Sequence, residues 1–292
     1  MAQQHEKYYV PAYSPWPIIG AIGLFLIAFG AAHTVIDMKN EIDGWGSNVL
    51  WTGIIVIILM MFGWFRDQIN ESLAGMHSEQ LGRSYRQGMT WFIFSEIMFF
   101  SAFFGALFYA RFIAVEWLGG ASNNLMTNEV LWPAFEAHWP LTTTPGGTES
   151  GSIGWMGLPL YNTIILIVSS FTCHLAHVNL EKNNRKMLTL WLGITVLLGC
   201  TFLYLQGVEY AHAYQDLGLR LDTGVYGNTF FMLTGFHGVH VTLGTIMLLV
   251  MFLRVLRGHF TPDNHFAFQA TSWYWHFVDV VWVCLFIFVY VM

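Results

Sequence analysis

Acids and imidazoles interrupt apolar stretches of this chain at spacings that could carry chemistry. Glu96 sits in Phe-Ile-Phe-Ser-Glu-Ile-Met-Phe-Phe, His237 and His240 in Thr-Gly-Phe-His-Gly-Val-His-Val, and His276 and Asp279 in Tyr-Trp-His-Phe-Val-Asp-Val-Val-Trp. His174 and His177 form a second His-x-x-His pair. On a helix, residues three apart share a face, so His276 and Asp279 point the same way. Such groups can relay protons, ligate a metal or haem, or hydrogen-bond between helices. A charge at membrane depth costs several kcal/mol unless it faces protein, water or a partner, so each face that bears one is predicted to look away from bare lipid.

The elements that must hold these residues are membrane helices. Apolar residues make up 55% of the 292 residues and charged residues 10%, against about 25% charged in an average soluble domain. Seven apolar stretches lie at 17–36, 49–65, 88–111, 159–179, 189–211, 229–253 and 270–291, each near the length that crosses a bilayer. Backbone polar groups in hydrocarbon must be satisfied within the segment, which makes these stretches helices. The predicted fold is all-α, a polytopic membrane protein of seven transmembrane helices in a single membrane domain over 1–292. A two-helix part covers 1–65, an inner polar connecting segment 66–87, and a five-helix bundle 88–292 with a long outer loop at 116–158. Trp132, Phe135, Trp139 and Trp155 in that loop suit a docking surface or the membrane interface. The polar first 16 residues lack a cleavable signal, so the first span is expected to direct insertion.

Lys and Arg set the orientation. With seven spans, one side holds Lys7, Arg66, Arg83, Arg86, Lys182, Arg185, Lys186, Arg254 and Arg257, and the other only Lys39, Arg111 and Arg220. The N-terminus is therefore predicted inside and the C-terminus outside. Cys173, Cys200 and Cys284 lie inside spans with no CxxC spacing, which suggests neither a disulfide framework nor a thiolate metal site. No Glu-x-x-His motif of the di-metal bundle type is present.

Several readings of the buried ionisable groups stay open on this footing. The histidines either hydrogen-bond across helices, bind a redox metal or haem, handle protons, or touch lipid headgroups. Glu96 lies about 12 Å inside the span counted from Gly88. It is a protonated partner of a neighbouring helix, a lining residue of a cleft holding lipid or water, or a proton relay. The inner cluster of Arg66, Arg83, Arg86, Arg254, Arg257 and His265 either follows topology alone or binds anionic phosphate.

The ordered motifs narrow these choices. Ser14-Pro15-Trp16-Pro17 is followed by Trp64-Phe65-Arg66-Asp67, Glu71-Ser72 and His77, then Arg86-x-Gly88-Met89 before Ser95-Glu96-Ile97-Met98-Phe99-Phe100. Gln206-x-x-Glu209-Tyr210 and Gly224-Val225-Tyr226-Gly227-Asn228-Thr229-Phe230-Phe231 precede the two motifs around His237 and His276. Over residues 14–291 the chain closely resembles subunit III of cytochrome c oxidase, the haem–copper terminal oxidase of aerobic respiration.

That resemblance implies seven helices with the first two splayed from the other five by a cleft that holds phospholipids. It implies no catalytic residue and no metal or redox cofactor on this chain, with haem and copper in subunits I and II. It implies that the chain packs on subunit I and supports proton uptake into it, within a complex that takes electrons from cytochrome c, reduces oxygen to water and pumps protons. By position the family's lipid contacts fall on Arg66, Glu71, His77, Glu96, Arg254 and His265, and its carbodiimide-sensitive acid on Glu96. Phe65 replaces a second tryptophan, Ser78 follows His77 where many members have Thr, and the stretch Glu71–His77 is one residue shorter than in mitochondrial members. These departures favour a bacterial inner membrane over the mitochondrial one, and seven spans favour cytochrome c over quinol as donor. The alternative is a stand-alone proton-coupled transporter built on Glu96 and Asp279, and a third is a haem-binding membrane cytochrome. The transporter predicts substrate movement by this chain alone in vesicles, and the cytochrome predicts a Soret band.

Overall fold

A computed structural model describes residues 9–11 and 13–292; the predicted inner Lys7 lies outside the described residues. All seven expected spans are present as helices. They are α1 (Trp16–Lys39), α2 (Gly46–Leu73), α3 (Glu79–Tyr109), α6 (Leu158–Glu181), α7 (Arg185–Gln215), α8 (Val225–Leu256) and α9 (Phe266–Leu285). A π-helical turn (Ala110–Ala114) joins α3 to α4 (Val115–Leu118), and another (Phe286–Val291) ends α9. The short α5 (Leu125–Leu131) lies in the long loop, and no strand occurs among the described residues. At about 1.5 Å per residue, the 24-residue helices α1 and α6 outrun a hydrocarbon core of about 30 Å, and the 20-residue α9 does so together with its terminal π-helical turn.

The helices also run past the apolar stretches. The segment 66–87, read from sequence as a polar connector, is mostly helix. Helix α2 continues to Leu73 and α3 starts at Glu79, which leaves Ala74–Ser78 as the turn. Helical hydrogen bonding does not end where hydrocarbon ends, and Arg, Asp, Gln and Glu are compatible with a helix at the headgroup level.

The chain divides into two compact units, Met1–Tyr85 and Arg86–Met292. In the first, α1 and α2 form a close hairpin. A Cβ on Gly30 would fall 2.3 Å from the backbone nitrogen of Leu50, one on Gly46 2.4 Å from that of Thr34, and one on Gly53 2.7 Å from that of Ile27. Small residues let membrane helices approach closely where lipid offers no hydrophobic driving force. Asp37 of α1 accepts a hydrogen bond from the first backbone N–H of α2, at Gly46 (3.0 Å), and thereby caps the helix start. At the other end, Trp16 Nε1 donates to Asp67 Oδ2 (2.9 Å), and the Trp16 ring covers Gly63. Gly30→Ala is expected to cost the hairpin about 1–3 kcal/mol by overpacking. Gly20→Ala, whose Cβ meets only the flexible end of Met60, is expected to cost far less. Subunit retention during graded detergent denaturation would rank the two.

In the second unit α6 packs on α7 and α9, α7 on α8, and α8 on α9. Helix α3 adds Phe99 and Phe100 against Phe236 and His240 of α8. The centre is filled by Trp275, Trp282, Phe202, Phe230 and Leu192. Trp275 lies between Gly199 of α7 and Gly244 of α8, where any Cβ would strike the indole or Thr245 within 3.0 Å. Each buried indole N–H is satisfied on α6: Trp275 Nε1 donates to Ser169 Oγ (2.9 Å) and Trp282 Nε1 to Thr163 Oγ1 (3.0 Å).

The long loop is folded down rather than presented. Trp132 Nε1 and Asn128 Nδ2 both donate to the carbonyl of Leu118. Ile153 N donates to Tyr226 Oη, and Trp139 meets the Tyr226 ring edge-on at 5.7 Å. Phe135 and Trp139 pack against the bundle core. Of the four aromatic residues suited to docking, Trp155 is the exposed one; the others fasten the loop to its own protein.

Candidate functional site

Glu96, His237, His240, His276 and Asp279 of the second unit fall into three separate polar contacts. Glu96 of α3 meets His240 of α8, Oε2 to Nε2, at 2.9 Å, with the two side chains 22% and 12% exposed. His240 Nδ1 lies 2.6 Å from the carbonyl of Phe236. A carbonyl only accepts, so Nδ1 carries a hydrogen. The contact at Nε2 then needs one more proton, held either as a carboxylic acid donating to neutral imidazole or as imidazolium donating to carboxylate. Both forms are neutral overall, which suits a membrane interior.

His237 lies one helical turn earlier and has different neighbours. Its Nε2 donates to the carbonyl of Val278 (3.2 Å), and its ring lies 4.9 Å from that of Trp282. The first His-x-x-His pair is therefore divided between two interhelical contacts. On α9, His276 Nδ1 lies 2.7 Å from Ser170 Oγ of α6 and 3.9 Å from Asp279 Oδ2. His276 and Asp279 do share a face, but the hydrogen bond of the imidazole goes across to α6. Asp279 is 7% exposed and turned into protein.

A further buried acid belongs to the Gln206-x-x-Glu209-Tyr210 motif. Glu209 of α7 is 1% exposed. Its Oε1 accepts from Tyr290 Oη (2.6 Å) and Gln206 Nε2 (3.4 Å), and Asn162 Nδ2 of α6 reaches Gln206 Oε1 (3.5 Å). The terminal π-helical turn carries Tyr290. The spacing Gln206-x-x-Glu209 inside an apolar run was the available signal, of the same kind as His276-x-x-Asp279.

The expected lipid contacts are distributed over both units. In the first, Arg66 is exposed on α2, Gln68 Nε2 donates to Glu71 Oε2 (3.0 Å), and His77 meets the Tyr85 ring edge-on at 5.4 Å. In the second, Arg254 is 7% exposed. Its guanidinium lies 4.4 Å over the Phe260 ring, and its Nε has no hydrogen-bond partner among the described residues. Among the described residues no carboxylate lies within ion-pair distance of Arg254, since their ion pairs all join a histidine to an acid. Burial, with the nearby guanidinium groups of Arg254 and Arg257, holds the His259 imidazole below the usual histidine range. His265 stands at the start of α9.

Seven apolar helices, with Glu96, Glu209, His237, His240 and His276 hydrogen-bonded to neighbouring elements, define a multi-pass integral membrane protein. Comparison with known proteins gives the family. The family model for cytochrome c oxidase subunit III matches residues 5–292. Cytochrome c oxidase subunit 3 of Hippopotamus amphibius is 38% identical over 291 residues, covering 99% of this chain and 98% of that one. The corresponding proteins of Papio hamadryas and Equus caballus are 37% identical over 292 residues and 38% identical over 291. The chain belongs to the cytochrome c oxidase subunit III family. It is thus one subunit of a membrane-bound oxidoreductase and is assembled with other oxidase subunits.

Proposed function

We propose that this chain is the lipid-binding third subunit of its oxidase, with no redox centre of its own. In this reading it packs on subunit I, beside subunit II, and supports proton uptake while the complex passes electrons from cytochrome c to oxygen. Haem and copper reside in the partner subunits. The observation that carries the proposal is Arg254, a buried guanidinium stacked on Phe260 with no acid beside it among the described residues. Buried charges are almost always paired, and an anionic phosphate supplies the missing partner in the two-oxygen geometry that guanidinium favours. Arg257 adds a second guanidinium charge near the same region, and the neighbouring His259 is held in its neutral form. In the first unit, Arg66, Glu71 and His77 offer a cation, an acceptor and an imidazole near the α2–α3 turn.

The test is to purify the intact complex and measure tightly bound phospholipid. Arg254→Gln is expected to lose at least one anionic phospholipid per complex, whereas exposed Arg257→Gln retains it. Equal phospholipid content in wild type and Arg254→Gln would refute the assignment. Arg254→Lys serves as the control for a residue that keeps charge without the planar fork.

The same reading places the chain in a bacterial inner membrane with its N-terminus inside. Support comes from the Lys and Arg bias and from the departures around Phe65 and His77. A periplasm-dependent reporter fused after Met292 is expected to be active, and one fused in the turn at Asn183 inactive; the opposite pattern would reverse the orientation.

A further inference from the structure

His177, Glu181 and His265 bring their ligand atoms to within 4.8 Å of one another. His177 and Glu181 sit four residues apart on the last turns of α6, with Nε2 and Oε1 3.8 Å apart. His265 immediately precedes α9, and its ring meets that of His177 edge-on at 5.5 Å. Two details of this cluster go beyond a helical His–Glu pair. His177 Nε2 is buried and has no hydrogen-bond partner among the described residues, a condition that needs an explanation wherever it occurs. His265 Nδ1 lies 3.3 Å from the carbonyl of Thr261. Donation there fixes the tautomer and leaves Nε2 with its lone pair, as a backbone carbonyl commonly does for a metal-bound histidine.

We propose that His177, Glu181 and His265 form a binding site for a zinc-class divalent transition-metal ion, which ties the end of α6 to the start of α9. Two imidazoles and one carboxylate are a three-ligand set that zinc uses with a fourth position left for water. Magnesium and calcium prefer oxygen ligands alone. Tetrahedral zinc, with bonds of about 2.0–2.2 Å, sets its ligand atoms about 3.3 Å apart. The His177–Glu181 pair, at 3.8 Å, is near that spacing, and closing the cluster takes side-chain adjustments at the 59% exposed Glu181 and at the imidazoles. Zinc undergoes no redox change, so the site serves structure or regulation and not electron transfer. It departs from the expectation that this chain binds no metal, and it takes His265 from the expected lipid contacts while leaving Arg254 to the lipid.

The test uses the intact oxidase, washed with chelator and titrated with zinc against a fluorescent zinc chelator. Haem absorbance serves as the check on assembly. Glu181→Gln removes the anionic ligand from the surface without touching the core, and His265→Gln removes one imidazole. Each is expected to weaken one zinc equivalent by roughly tenfold or more. Unchanged affinity and stoichiometry in either assembled variant would overturn the three-ligand site.

Discussion

Trp275→Ala is expected to destabilise the second unit by about 3–5 kcal/mol. The indole is completely buried between Gly199 and Gly244, on helices that approach closely because those positions lack a Cβ. Its removal opens a cavity that rigid helix backbones cannot collapse into. It also strands the Ser169 hydroxyl that accepts the indole N–H, a loss worth about 1 kcal/mol. In lipid the contribution is mainly van der Waals contact rather than water release, so what a replacement recovers scales with how much of the space it fills. Trp275→Phe, which keeps much of the ring volume but not the N–H, is expected to recover most of the loss. The readout is the detergent concentration at which the subunit dissociates from the complex. A dissociation midpoint for Trp275→Ala equal to that of wild type would show that this indole is not the centre of the bundle.

The second large effect is expected at His240. Replacing it with Leu leaves the Glu96 carboxyl without the imidazole that now shares its proton. An unpartnered buried polar group costs about 1–3 kcal/mol, and a carboxylate at membrane depth costs more. The acid is therefore expected to stay protonated in His240→Leu and to react faster with a hydrophobic carbodiimide. Glu96→Gln is expected to behave differently. Its amide N–H can donate to His240 Nε2 in place of the acid, so subunit retention stays near wild type while labelling at position 96 disappears. Glu96→Ala removes the donor and is expected to loosen lipid retention while leaving initial electron transfer intact. Equal labelling of wild type and His240→Leu, measured by mass spectrometry of the modified peptide, would show that the two side chains do not share a proton.

The seven spans were legible because hydrocarbon imposes one rule on every residue of a span. The ends were less legible, since α2 and α3 continue through polar residues such as Arg66, Asp67 and Arg83 that hydropathy counts as exits. Individual ionisable residues could be located by sequence, but their partners could not. His237 and His240 look alike in the sequence, yet one bonds a backbone carbonyl of α9 and the other an acid of α3. His276 and Asp279 look like a pair, yet Ser170 on α6 takes the hydrogen bond. Such choices depend on crossing helices that meet at residues 41 to 144 positions apart. The same holds for His177, Glu181 and His265: the first two are visible as an i, i+4 pair, and the third joins them only through the α6–α9 contact. Motif resemblance supplied the expectation of lipid contact at Arg254 and Glu96, and the lack of an acid beside Arg254 among the described residues required the folded chain.

The most direct test of a lipid-holding subunit without its own redox centre is to split it from the purified oxidase. A tagged chain would be released by mild detergent, and haem, copper and phospholipid assayed in both fractions. Phospholipid is expected to accompany the tagged chain, with haem and copper remaining wholly with the other subunits. Haem or stoichiometric copper bound to the tagged chain would contradict the account.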